Sequence, residues 1–190
     1  MGKLEESLRE SPVVEKEDYS YFVHPVTDGT PPIEPELLRE ITTRIVNKVD
    51  IEEVDKIVAP EAMGIHISTA LSIFVDIPVV VVRKRSYGFD DEVGVHQVTG
   101  YSDNEMYINS VEEGDNVLLI DDVVSTGGTL KCICEALESI GTEIVDVVAV
   151  IQKGIDRNAE IPADVVSLVT VEVEDGEVKI LSEKQSKPSP

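Results

Sequence analysis

The sequence predicts an α/β fold: a single domain built on a parallel sheet flanked by helices. Three observations predict it. Apolar runs at Ile77–Val82 (IPVVVV), Val117–Ile120 (VLLI) and Ile144–Ile151 do not alternate with polar residues. That is the pattern of strands covered on both faces of a parallel sheet. Between them lie stretches with apolar residues at helical spacing, and such alternation of strands and helices builds a three-layer domain. A chain of 190 residues, 42% of them hydrophobic, also holds enough apolar material for one good core.

The elements follow in order. Residues 1–18 are charged, with Leu4 and Leu8 spaced for one short helical contact. Tyr19–Pro32 (YSYFVHPVTDGTPP) mixes aromatics, a histidine and turn residues. Pro35 opens a helix whose Leu38, Ile41, Ile45, Val46 and Val49 line one face. Asp50–Asp55 reads as an acidic loop, Lys56–Ala59 as a short strand, Pro60–Gly64 as a turn and Ile65–Phe74 as a second helix. The strand at Ile77–Val82 tolerates Pro78 at its start and ends at Arg83-Lys84-Arg85. Ser86–Asn109 is polar, glycine-bearing and weakly alternating; a stretch this long in a compact domain is more often a functional flap than an idle loop.

The central strand leads into a helix with Leu130, Ile133, Cys134, Leu137 and Ile140 at helical spacing, stopped by Gly141. Asp175-Gly176, between Val165–Val173 and Glu177–Leu181, is a hairpin signal. There are no internal repeats. The expected domain spans residues 1–182, and the polar tail 183–190 is expected to be disordered.

The formal charge of −22 argues against a nucleic-acid surface, which needs clustered Lys and Arg. The acidity reads as a solubilising surface. Cys132 and Cys134, two apart on a helix, point about 200° apart, which disfavours a local disulfide or shared metal; the pair fits a reducing compartment. No stretch approaches the roughly 20 apolar residues of a membrane span, and MGKLEESLRE lacks an apolar signal region. The expectation is a cytoplasmic protein that binds neither membrane nor nucleic acid.

The chemistry concentrates in Asn116–Leu130 (NVLLIDDVVSTGGTL). A buried strand surfaces at Asp121-Asp122, and Ser125-Thr126-Gly127-Gly128-Thr129 then starts a helix. A helix start offers unpaired N–H groups and positive dipole, so a glycine-rich turn there makes a phosphate cradle. Ser125, Thr126 and Thr129 can add hydroxyl donors. The turn has no Lys, unlike the GxxxxGK[ST] loop of nucleotide triphosphatases. Two carboxylates beside an anion site make sense if they accept hydrogen bonds from sugar hydroxyls, or touch a divalent cation that the ligand brings. The ligand implied is a phosphorylated sugar with free hydroxyls and magnesium. A strand-turn-helix whose Asp pair merely caps the helix is the plainer alternative. Ala59–Gly64, Arg83–Arg85, Asp121–Thr129 and Gln152–Gly154 all lie at strand carboxyl ends, where open α/β sheets bind ligands.

The run IDDVVSTGGTL resembles the phosphoribosyl-pyrophosphate motif of the type I phosphoribosyltransferases. The resemblance implies that family's fold, with an N-terminal hood (19–34) over the base and a flexible loop (86–109). It implies that Asp121 and Asp122 face the ribose hydroxyls and Mg2+, and that Val124, Ser125, Thr126, Gly127, Gly128 and Thr129 hold the 5′-phosphate. APEAMGIHISTALS is similar to the pyrophosphate loop of adenine phosphoribosyltransferases, through Glu61, Ala62 and Gly64, with Met63 where those enzymes usually carry Arg. Arg83, Lys84 and Arg85 are then read as pyrophosphate ligands that supply the missing charge.

VGVHQVTGYSDNEMYI resembles the flexible catalytic loop, with Tyr101 as its loop tyrosine, but Gly100 stands where those enzymes carry Glu. Ser125 stands where the hypoxanthine-guanine branch carries its proposed base, leaving His96, Asp103 and Glu105 only as candidates. Lys153 falls where purine-using members place a Lys for the 6-oxo group, and Phe22 in the hood could stack on the base. VRKRSYG, VHQVTGYS and IDDVVSTGGTL together resemble the archaeal hypoxanthine phosphoribosyltransferases. That likeness implies transfer from phosphoribosyl pyrophosphate to hypoxanthine, or guanine, by a magnesium-dependent homodimer. Adenine is the alternative substrate, and a non-enzymatic regulator that binds the sugar phosphate is the alternative class.

Overall fold

Strand parity sets the layers. In the central strand, Leu118 and Ile120 face one side of the sheet, Val117 and Leu119 the other, and all four are fully buried. A side chain of that kind contributes about 1.5–3 kcal/mol when taken from water, so this segment cannot serve as an edge.

The structure is a computed structural model and describes residues 2–16, 19–99, 102–154 and 160–181. Its elements are α1 (Lys3–Arg9), β1 (Val13–Lys16), β2 (Tyr19–Phe22), α2 (Pro25–Asp28), α3 (Pro35–Val46), a 3-10 turn (Ile51–Glu53), β3 (Lys56–Pro60), α4 (Gly64–Val75), β4 (Val79–Val82), β5 (Val93–Thr99), β6 (Ser102–Ile108), β7 (Asn116–Val124), α5 (Gly128–Ile140), β8 (Glu143–Lys153), β9 (Val165–Glu174) and β10 (Glu177–Leu181). Six strands form the main sheet in the order β10-β9-β8-β7-β3-β4. Only β10 runs antiparallel to its neighbour. The β9–β10 turn has Asp175 at φ 54° and Gly176 at φ 76°, the two positive values a two-residue hairpin needs.

One face is covered by α1, α3 and α4: Leu4, Leu8, Ile41, Ile45, Ile67 and Leu71 pack on Ile57, Leu118, Ile120, Val148 and Val150. The other is covered by α5 and the β5–β6 hairpin: Leu130, Ile133, Cys134, Leu137, Val95, Met106 and Ile108 pack on Val58, Val117, Leu119, Val147 and Ala149. The expected α/β sandwich is present. No helix among the described residues is long and apolar enough to cross a membrane.

Four local expectations are corrected. The buried face of α3 begins at Leu37, with Leu38 only half-buried, because the register is set by the i, i+4, i+8 row Leu37–Ile41–Ile45. The N-terminal residues do more than make one contact: β1 pairs with β2, joining part of the hood to a strand outside its expected bounds. Ser86–Asn109 contains an antiparallel hairpin whose Val95, Met106 and Ile108 are core residues. Weak alternation concealed it, since only one face of its base is covered. Finally, β7 continues through both aspartates to Val124. The tail 183–190 lies outside the described residues.

Candidate active site

The carboxyl ends of β3, β7 and β8 deliver the site. Past Ile120, β7 alternates half-buried and buried residues as far as Val124, and the chain turns into α5 through Ser125–Gly127. Gly127 caps that helix at φ 84°, a conformation that costs glycine least. It has no side chain to cap α5, and a helix start directs its first N–H groups and positive dipole end outward, as an anion cradle needs. Asp121, Val123 and residues 124–130 enclose the resulting small cradle, of about 60 Å³. Val124 is 2% exposed and packed in the core, so it can serve the cradle only through its backbone.

Because consecutive strand residues face opposite ways, the two aspartates divide between neighbouring hollows. Asp121 lines the cradle and Asp122 a cavity on the hood side, while both line a third hollow between β7 and the loop after β3. The Asp122 carboxyl is only 8% exposed. Burial and the adjacent Asp121 carboxylate hold it well above the ordinary carboxylate range; burial also raises Asp121. Asp121 Oδ1 accepts the Asp122 backbone N–H at 2.9 Å. The pair therefore stores unfavourable desolvation that hydroxyl donors or a cation would relieve. Among the described residues no group of three or more His, Cys, Asp or Glu could hold an ion unaided. Two carboxylates fit a cation that shares the oxygens of its ligand.

The loop after β3 faces the same hollow through Pro60, Glu61, Ala62 and Met63, opposite Lys84, Met106, Ser125 and Thr129. The Glu61–Ala62 peptide is cis. Glu61 ties this loop to the end of β4: Oε1 accepts the Lys84 N–H at 3.1 Å, and Oε2 lies 3.5 Å from Arg83 Nη1. Of the three expected pyrophosphate cations, Lys84 alone lines a described hollow. Arg83 is turned to Glu61, and Arg85 stands over the exposed Tyr87 ring at 5.9 Å. Gly64 meets a packing need: a Cβ there would lie 3.0 Å from the Ile120 carbonyl oxygen and 3.2 Å from Pro60 Cδ, so glycine lets α4 pack against β7.

On the hood side, Tyr21, Phe22, Thr27, Asp28, Asp122, Val123, Ser125 and Lys153 enclose a cavity of about 220 Å³. Lys153 ends β8 and donates from Nζ to the Ser20 carbonyl at 3.1 Å, which fixes its ammonium at the cavity wall. Phe22 is 6% exposed, with its ring in the core beneath the cavity. His24 holds the hood down. Its Nδ1 accepts the Val26 N–H at 3.2 Å and its Nε2 meets Ser7 Oγ at 2.9 Å. Burial depresses its pKa to about 4.

A family profile for the phosphoribosyl transferase domain matches residues 32–180. The chain belongs to the type I phosphoribosyltransferase family. An HGPRTase-like protein of Natronomonas pharaonis is 58% identical over 183 residues, covering 95% of this chain and 97% of the relative. A protein of the same name from Halorhabdus utahensis is 59% identical over 186 residues, 97% and 98% of the two chains. The adenine phosphoribosyltransferase of Thermoanaerobacter pseudethanolicus superposes with a TM-score of 0.75 at 21% identity, over 88% of this chain and 99% of that one. The Saccharomyces cerevisiae adenine phosphoribosyltransferase, solved with adenine and an imino-altritol bisphosphate, superposes at 0.71 and 19% identity, over 86% and 97%. At such identities these structures establish the fold alone.

Within this phosphoribosyltransferase fold, the cradle, the aspartate pair, Glu61, Ala62, Lys84, Lys153 and Phe22 come together. Tyr101 lies outside the described residues, as does the side chain of Asp103. His96 and Glu105 pair with each other across the exposed hairpin at 3.4 Å and line none of the described hollows. Sequence reasoning missed Thr27 and Asp28, which the one-turn α2 brings to the cavity. Gly29 in the left-handed conformation ends that turn, and the Asp-Gly pair was its only signal. The thiols line none of the described hollows, and burial pushes Cys134 up to about 12 and also raises Cys132.

Proposed function

We propose that this phosphoribosyltransferase joins a 6-oxopurine, hypoxanthine or guanine, to phosphoribosyl pyrophosphate and releases pyrophosphate with IMP or GMP. One observation carries the reading: the cavity beside Asp122 holds the anchored ammonium of Lys153 at its wall. An ammonium donates and cannot accept. It suits the 6-oxo group of hypoxanthine or guanine and opposes the 6-amino group of adenine. The HGPRTase-like names of relatives at 58 and 59% identity point the same way.

In this reading the 5′-phosphate sits on the α5 amides and the hydroxyls of Ser125, Thr126 and Thr129. Asp121 and Asp122, from opposite faces of β7, accept the two ribose hydroxyls and hold the ring with C1′ toward the cavity. The pyrophosphate lies along residues 60–63 near Lys84. Asp121 and Asp122 would hold magnesium brought by the donor, which would supply positive charge opposite the pyrophosphate. The C1′–O bond breaks with its electron pair leaving on pyrophosphate as the base nitrogen bonds C1′ and releases its proton to that leaving group, while positive charge develops on a ribose bracketed by carboxylates. Rate enhancement comes from positioning and preorganised charge. The test is pyrophosphate release from the sugar donor with magnesium and each purine. Release that depends on hypoxanthine or guanine is expected; no release with any purine would overturn the proposal.

A further inference from the structure

The hood-side cavity has a second charged wall that the mechanism above does not use. Asp28 ends the short helix α2 and lines the cavity together with Lys153 and Phe22. Its Oδ2 is already committed: it accepts the His24 backbone N–H at 3.0 Å and the Thr27 hydroxyl at 2.6 Å. These bonds, with the His24 Nδ1 cap on Val26, fix the carboxylate as part of a one-turn scaffold. No hydrogen bond to Oδ1 is formed among the described residues. The residue is exposed at the cavity rim, so the carboxylate is open to a ligand.

We propose that Asp28 is a specificity-determining residue that reads the N1 position of the base. Resting on the proposed 6-oxopurine reaction, it completes a donor–acceptor pair. Lys153 donates to the 6-oxo oxygen, and Asp28 Oδ1 accepts the adjacent N1–H. Adenine reverses both positions. Its 6-amino group donates toward an ammonium, and its N1 lone pair faces a carboxylate. A site built to pair polar groups rejects the analogue that leaves them unpaired far more strongly than an apolar site can. With Oδ2 already holding two donors, one oxygen remains to bond N1–H. Hypoxanthine and guanine share that group, so Asp28 separates both from adenine without separating them from each other.

The scaffold makes the substitution informative. His24 N–H and Thr27 O–H are both donors, so in Asp28→Asn the amide oxygen is needed where Oδ2 stands. The amide nitrogen then takes the place of Oδ1 and offers a donor to N1. Nucleotide formation from hypoxanthine, guanine and adenine is measured in the parent protein and in Asp28→Asn. In the variant, kcat/KM is expected to fall about tenfold or more for hypoxanthine and guanine alike, and to rise for adenine. An unchanged ratio in a parent that uses hypoxanthine overturns the role of Asp28 and leaves the reaction standing. A parent that prefers adenine overturns both.

A second measurement needs no variant. 1-Deazaadenine has C–H in place of the N1 lone pair and is expected to compete with hypoxanthine several-fold more tightly than adenine does in the parent protein. Equal or weaker competition would overturn the proposal even if Asp28→Asn fails to fold.

Discussion

His24 is a buried base that the hood needs uncharged, and acidification should release it. The imidazole is 0% exposed. Because Nδ1 accepts the Val26 N–H, Nε2 carries the proton and donates to Ser7 Oγ, whose hydroxyl donates in turn to Leu4 O at 3.1 Å. Protonating Nδ1 would set two donors against each other in a site closed to water. Burial accordingly takes the pKa from 6.5 to about 4, with Asp28 opposing the shift. The native state binds fewer protons than the unfolded chain between those values, so stability is full above pH 6.5 and is lost as pH falls toward 4. At about 1.4 kcal/mol per pH unit, the whole interval is worth about 3 kcal/mol. His24→Asn keeps an acceptor for Val26 N–H but does not titrate. At pH 7 it should be less stable than the parent by about 1–3 kcal/mol, for the lost Ser7 bond and imidazole packing. Urea unfolding at pH 7.0, 5.5 and 4.5 should show that gap shrinking by about 1.4 kcal/mol at pH 5.5 and about 2.5 at pH 4.5. Titrations common to both proteins cancel in the difference. A pH-independent gap, or an imidazole that titrates near 6.5 by NMR in the folded protein, would refute the reasoning.

Two further outcomes follow from the charges. Asp121→Asn with Asp122→Asn removes two charge-assisted acceptors, each worth about 1.5–3 kcal/mol, so kcat/KM should fall about ten- to hundredfold per residue. The raised Asp122 pKa costs the ligand-free fold stability as pH rises through it. The same variant should therefore melt at or above the parent's temperature at pH 8, and a lower melting temperature or unchanged kinetics would contradict this. The charge of −22 predicts self-repulsion that salt relieves. Raising sodium chloride from 0.1 to 1 M shortens the screening length from about 10 Å to about 3 Å and should raise the melting temperature by several degrees. A constant or falling value would show that the acidic surface is not strained.

The fold was legible wherever burial dictated composition. VLLI is a strand covered on both faces, whereas IPVVVV forms the edge strand β4 with Val79 and Val81 only half-buried, and IDDVVSTGGTL announced both a cradle and its carboxylates because strand end, turn and helix start are consecutive in the chain. Contacts between distant segments were not legible. Arg83, Lys84 and Arg85 look equivalent as a run, yet the β4 edge sends Arg83 to Glu61 and Arg85 to Tyr87. Gly64 suggested an anion loop, and the structure adds a packing requirement set by Ile120, fifty-six residues away. Asp28 looked like an ordinary turn residue because only tertiary packing, through His24 and Ser7, brings its helix to the cavity that Lys153 closes from the far end of β8.

The central claim is that the hood-side cavity selects a 6-oxopurine through Lys153. A competition reaction with equal hypoxanthine, guanine and adenine, limiting phosphoribosyl pyrophosphate and magnesium, resolves the products by mass, for the parent and for Lys153→Gln. The account predicts IMP and GMP over AMP by about tenfold or more in the parent, with that margin reduced in the variant. AMP as the main product, or a product ratio that Lys153→Gln leaves unchanged, would contradict it.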